Sequence, residues 1–152
     1  MRLIVFSDSH GSVRYMRQAL ELHPEADVVV HLGDGERDFE TLCDLLDGKR
    51  VIQVCGNCDL CSQLNVEERV ILGGAKVLCT HGHFMHVKYG EQMLREVARN
   101  RGARIVLYGH THNCVNKYDD GLYIFNPGSV RDGCYGIVDI VPSGIMCTSH
   151  RL

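Results

Sequence analysis

Leu3-Ile4-Val5-Phe6-Ser7-Asp8-Ser9-His10-Gly11 is a short apolar run that stops at a polar turn holding a carboxylate and an imidazole. An apolar run of this length, bounded by a Gly-containing turn, reads as a buried strand feeding a loop. The pattern then returns. Val28-Val29-Val30-His31-Leu32 stops at Gly33-Asp34-Gly35, and Val51-Ile52-Gln53-Val54 at Gly56-Asn57-Cys58-Asp59. Lys76-Val77-Leu78-Cys79 stops at Thr80-His81-Gly82-His83, and Arg104-Ile105-Val106-Leu107-Tyr108 at Gly109-His110-Thr111-His112. Each strand thus delivers Asp, Asn or His to its carboxyl end.

Between these runs the period changes to that of a helix. Val13, Met16, Ala19 and Leu20 share a face, with Ser12 as N-cap and Pro24 beyond the end. Phe39, Leu42, Cys43 and Leu46 repeat at helical spacing until Gly48. Strand, helix, strand, helix, strand predicts parallel strands joined by right-handed crossovers. Further on, Arg69–Leu72 and Lys76–Cys79 flank Gly73-Gly74-Ala75 as a hairpin, and a helix runs from about Glu91 to Arg101, closed by Gly102. Short strands come next at Val115–Tyr118, Leu122–Phe125, Gly136–Val141 and Ile145–His150. Neither a repeat nor a linker interrupts the chain, so residues 1–152 read as a single α/β domain.

The 152 residues are 45% hydrophobic and 23% charged, enough for one ordinary core. No run approaches the roughly 20 apolar residues of a membrane span, and Asp8 comes too early for a signal segment, so the expectation is a soluble cytoplasmic protein without a membrane partner. A net charge of -3 with no dense basic block argues against a long nucleic acid as partner. Lys88, Arg95, Arg99, Arg101 and Arg104 make a locally basic stretch, read as a solvated helix face. Eight cysteines in a chain with a sufficient core point to free thiols in a reducing compartment. Cys43, Cys79, Cys134 and Cys147 lie in apolar stretches, where burial is expected. Cys55, Cys58 and Cys61 are spaced for a metal, but an iron–sulfur cluster needs a fourth ligand; Cys58 therefore reads as a turn thiol and Cys61 as a packing residue.

Any one of the five loops could be an ordinary turn; together they make a site. In α/β sheets ligands bind beyond the carboxyl ends of the strands, where distant residues converge. Asp8, His10, Asp34, Asn57, His81, His110 and His112 supply hard oxygen and borderline nitrogen donors, a set suited to manganese, iron or zinc rather than calcium. Seven donors exceed the needs of one such ion. With Asp34 as a bridge they could hold two, at the roughly 3.5–4 Å spacing of two-metal hydrolytic centres.

The ordered set Asp8-Ser9-His10, Gly33-Asp34, Gly56-Asn57, His81 and Gly109-His110-Thr111-His112 resembles the calcineurin-like metallophosphoesterases, in particular the small bacterial and archaeal phosphodiesterases of the YfcE/MJ0936 type. Asn126-Pro127-Gly128-Ser129 resembles a late loop found near the site in these small members. The resemblance implies a four-layer α/β/β/α sandwich with two mixed β-sheets flanked by helices. It implies two divalent metal ions, manganese first and iron, zinc or nickel as alternatives. One metal would take Asp8, His10, Asp34 and His112; the other would share Asp34 and add Asn57, His81 and His110. A metal-bridging hydroxide would attack phosphorus in line, with small phosphodiesters as the substrate class and phosphomonoesters as the alternative.

Larger relatives carry a histidine where this chain has Cys58. A thiol that titrates near 8.5 does not simply take over the role of an imidazole, so His83, beside Asn57 in the catalytic set, is the substitute for phosphate contact or proton donation. His23 and His150 read as surface residues, His31 as a core histidine and His86 as lining the approach. A homo-oligomer is left open by the resemblance. A non-catalytic scaffold, like the retromer subunit that resembles this family, is the rival from another class, although such a scaffold could afford to lose donors that all stand here.

Overall fold

The computed structural model describes all residues, 1–152. Ten strands form two five-stranded mixed sheets. In the first, the order is β10 (Gly144–Arg151), β9 (Cys134–Val141), β1 (Arg2–Phe6), β2 (Val28–His31) and β3 (Arg50–Gln53), with β1, β2 and β3 parallel and β9 and β10 antiparallel. The second runs β4 (Glu67–Leu72), β5 (Ala75–Thr80), β6 (Ile105–Tyr108), β8 (Leu122–Pro127) and β7 (Cys114–Asp119), with β5, β6 and β8 parallel. β4 and β5 form the expected hairpin, and Gly73 and Gly74 at its tip both take positive φ, as a two-residue turn matched to strand twist demands.

The side-chain alternation of the strands creates the layers. Leu3 and Val5 of β1 face Val77, Cys79, Ile105, Leu107 and Phe125 of the other sheet in an inner core. Ile4 and Phe6 point outward, against Met16, Ala19 and Leu20 of helix α1 (Val13–Leu22). On the far side, Leu78 and Val106 pack against Leu94 and Ala98 of α4 (Gln92–Asn100). The result is the expected α/β/β/α sandwich, with one apolar cluster between the sheets and one under the helices on each outer face.

Three local expectations are corrected. The helix drawn through Phe39, Leu42, Cys43 and Leu46 is two short pieces, α2 (Glu36–Glu40) and α3 (Cys43–Leu46). Thr41 Oγ1 donates to the Asp38 carbonyl at 2.7 Å, and such back-bonding competes with the helical ladder where α2 ends. Phe39 and Leu42 stay buried, which is why the apolar spacing resembled one helix. Ser12 precedes α1 but makes no side-chain cap; its amide donates instead to the Ser9 carbonyl. Among the cysteines, Cys79 and Cys147 are buried as expected, whereas Cys43 and Cys61 are exposed and Cys134 is half-buried.

Candidate metal centre

β1 delivers Asp8 and His10, β2 Asp34, β3 Asn57, β5 His81, and β6 His110 and His112, all within a few residues of the strand ends. Five of the seven sit on left-handed backbone: Asp8 (φ 56°), His10 (43°), Asp34 (59°), His110 (67°) and His112 (59°). Asp and His tolerate this region better than bulkier residues, at a cost of about 1 kcal/mol each. Close approach of the loops is allowed by glycine: a Cβ on Gly33 would lie 2.6 Å from the Gly56 amide nitrogen.

The donors gather into two groups. In one, ligand atoms of Asp8, His10 and His112 lie within 4.8 Å of one another; in the other, those of Asp34, His81 and His110 do. His112 Nε2 is 3.1 Å from Asp8 Oδ1 and 3.4 Å from His10 Nε2. His81 Nε2 is 3.1 Å from His110 Nδ1, 3.2 Å from Asn57 Oδ1 and 3.4 Å from Asp34 Oδ2. Asp34 Oδ2 also lies 3.9 Å from His10 Nε2, so this one oxygen faces both groups. A third cluster, His10, Asp34 and Cys58, overlaps them.

The remaining polar atoms of these side chains are tied down, which aims the free ones inward. Asp8 Oδ2 accepts the Ser7 hydroxyl at 2.5 Å and the His110 amide at 3.0 Å, leaving Oδ1 buried without a hydrogen bond and with His112 Nε2 3.1 Å away. A buried carboxylate oxygen without a donor is costly unless a cation sits against it. Asp34 Oδ1 accepts the Cys58 amide at 2.7 Å. His81 Nδ1 lies 2.7 Å from the Leu32 carbonyl, which can only accept, so the imidazole proton is held there and Nε2 is turned to the site as a lone pair. The donor set therefore fits divalent cations in position and in chemistry.

Charge agrees with geometry. Burial alone would raise the Asp34 carboxyl, but His81 and the Cys58 amide outweigh it and hold it well below the usual range. Burial works against protonation of His81, yet Asp34 and Asp8 prevail and push it up. His110 is pushed down to about 4, by burial first and then by the charges of His81 and Lys88.

His83 joins neither donor group. Its ring centroid is 5.4 Å from that of His81 and 6.1 Å from that of His110, and its Nδ1 is buried without a partner. His31 is in the core as expected but is not fully satisfied there, its Nε2 being buried without a hydrogen bond, whereas His23 is half-buried, 3.0 Å from the Tyr135 hydroxyl. Asp59 is the residue that spacing did not single out: its carboxylate accepts the amides of Asp34, Gly35, Glu36 and Gly56 at 2.8–3.1 Å. It ties the β2 loop to the β3 loop. The late loop is a buttress: Ser129 Oγ donates to the Asp8 carbonyl, and Asn126 Nδ2 to the Gly109 carbonyl. A cavity of about 340 Å³ is lined by two of the donors, His10 and Asp34, together with Arg37 and Cys58 among others.

A family model described as the calcineurin-like phosphoesterase superfamily domain matches residues 1–141. The chain belongs to the calcineurin-like phosphoesterase superfamily. It is 32% identical over 132 residues to the probable metallophosphoesterase YsnB of Bacillus subtilis, covering 86% of this chain and 76% of the relative. With the phosphodiesterase YfcE of Escherichia coli it shares 30% over 170 residues, covering 91% and 88%. Its fold superposes on wild-type Vps29 of Entamoeba histolytica, solved with zinc, at a TM-score of 0.78 and 22% identity, over 99% of both chains. The expected activity class, a metal-dependent phosphoric ester hydrolase, stands on this membership. No helix is long and apolar enough to cross a membrane.

Proposed function

We propose that this calcineurin-like protein is a dinuclear-metal phosphodiesterase that cleaves small phosphodiesters in the cytoplasm, where eight unpaired thiols are maintained. The observation that carries the reading is Asp34 Oδ2, a single oxygen facing both donor groups. Asp8, His10, Asp34 and His112 would hold one ion, and Asp34, Asn57, His81 and His110 the other, with manganese as the first choice for oxygen and imidazole donors. Two divalent cations held there would supply Lewis-acid polarisation of the phosphoryl oxygens and a nucleophile from water for in-line attack on phosphorus.

The chain's own residues do the rest. Leu32 and Asp59 hold His81 and the Asp34 loop in register, so the donors need no rearrangement when substrate arrives. Cys58 sits in the cavity wall with its thiol kept protonated, by burial first and by Asp34 next. His83 is assigned to phosphate contact or proton donation; burial first, and then His81, lower its pKa.

The test is hydrolysis of bis(p-nitrophenyl) phosphate and p-nitrophenyl phosphate by chelator-stripped protein after manganese is restored, with Asp34→Asn as control. Restored diester activity that Asp34→Asn abolishes supports the reading, and a monoester preference replaces it with phosphomonoesterase. The likeness to Vps29 is one of fold and favours a binding role only if neither ester is cleaved with two metals bound.

A further inference from the structure

Two cavities reach the donor loops from different sides, and their charges are opposite. The smaller, lined by the donors His10 and Asp34, also carries the carboxylates of Glu36, Asp38 and Asp59 against one guanidinium, Arg37. The larger, a groove of about 1140 Å³, runs from Thr111 and Asn113 past Tyr108 to the start of α4. Its lining carries Lys88, Arg95, Arg99 and Lys117 against Glu91 and Glu96.

Most of that positive charge is already engaged. Glu91 accepts from the Tyr108 hydroxyl at 3.0 Å, from Lys117 at 2.9 Å and from Arg95 at 3.0 Å, while Arg95 and Arg99 also pair with Asp119. Lys88 alone among the four has no carboxylate partner. It lines the same groove as Thr111, the residue between His110 and His112. Beside it, Tyr89 is 94% exposed and offers an aromatic face on the groove wall.

We propose that this groove receives one ester arm of the phosphodiester substrate and that Lys88 pairs there with a second phosphate on that arm, selecting short nucleotide-like diesters that bear a terminal phosphate. The inference rests on the phosphodiesterase reading and deepens it. Its physical basis is that an ammonium without a carboxylate partner can meet a phosphate without first breaking an ion pair, and that an exposed ring accepts a base of any identity by stacking. The groove is large enough for a nucleotide.

The experiment compares kcat/KM of the metal-restored protein on thymidylyl-thymidine and on its 5′-phosphorylated form, with bis(p-nitrophenyl) phosphate alongside. The terminal phosphate is expected to raise kcat/KM at least tenfold, through KM, and the gain should shrink as salt is raised. Lys88→Ala should remove the gain and Lys88→Arg should keep it. Equal rates on the two dinucleotides, or an equal loss on both in Lys88→Ala, overturns the inference. So does cleavage of the nitrophenyl diester with neither dinucleotide cut, an outcome that leaves the diesterase reading intact. Inactivity on all three diesters overturns that reading and the inference with it.

Discussion

Asp59 Oδ2 accepts the amide of Asp34 at 2.8 Å, so a carboxylate outside both donor groups fixes the backbone of the one that joins them. Four amides converge on this side chain, and they hold it ionised even though burial opposes that. Asp59→Asn turns an NH2 toward amides that need an acceptor. A loss of about 3 kcal/mol in folding stability is expected, together with weaker metal binding. Urea unfolding and a metal titration of the variant check the two together; unchanged metal affinity would separate Asp59 from the site.

Asp8 should show opposite signs with and without metal. Its buried Oδ1 makes no hydrogen bond, with His112 Nε2 at 3.1 Å as its nearest basic atom, so Asp8→Asn in chelator is expected to be neutral or slightly stabilising. In the wild-type protein, metal at a hundred times its Kd adds about 2.7 kcal/mol of stability, and the variant should lose most of that increment. Thermal melts with chelator and with manganese give both values.

His31 makes stability depend on pH. Burial pushes its folded-state pKa down to about 4 from the usual 6.5. Between those values the unfolded chain binds more protons. The contribution of His31 is therefore whole above about 6.5 and falls as pH drops toward 4, by on the order of 3 kcal/mol. His31→Asn does not titrate but keeps an acceptor for the Gly33 amide, which lies 3.3 Å from His31 Nδ1. Urea melts in chelator at pH 7 and pH 4.5 should show the wild type losing more than the variant; parallel losses would exclude His31 as the source.

The crossing of the β2 and β3 loops is tight enough to test by one methyl group. Gly33 has φ +93°, and an added Cβ would meet Gly56 backbone. Gly33→Ala is expected to cost at least about 3 kcal/mol, combining left-handed strain with a clash that rigid backbone cannot relieve. Gly74→Ala, at φ +81° with open space around it, should cost only about 1 kcal/mol. Similar unfolding midpoints for the two would show that the crossing is not rigid.

His83→Ala should discriminate by leaving group. With a p-nitrophenolate leaving group, protonation contributes little and kcat should change less than fivefold. With an alkoxide leaving group a fall of about 10² is expected, the low end of general acid–base catalysis. A uniform rise in KM on both esters would assign His83 to phosphate contact instead.

The periodic part of the chain is the part its residues spell out. Apolar runs such as Val28–His31 announce buried parallel strands, and the loops leaving their carboxyl ends must lie at one edge of the sheet, so the donors of all five loops were legible before any coordinates. Strand order was not, because β8 slips between β6 and β7 with no local mark in the sequence. Helix 39–46 misled because Phe39 and Leu42 are both buried on either side of a break. Asp59 escaped notice because its function is to accept backbone amides, and amides leave no trace in residue identity. The groove beside Lys88 arises from the packing of α4 against β7, a tertiary fact.

Left-handed backbone at Asp8, His10, Asp34, His110 and His112 has an energetic corollary. Each of those positions would shed about 1 kcal/mol of left-handed strain if it became glycine. The same change would strand the Ser7 hydroxyl and the amides of His110 and Cys58, which now donate to Asp8 and Asp34. Side chain and backbone therefore pull in opposite directions at one edge of the sheets, and the loops keep their shape because the hydrogen bonds outweigh the strain.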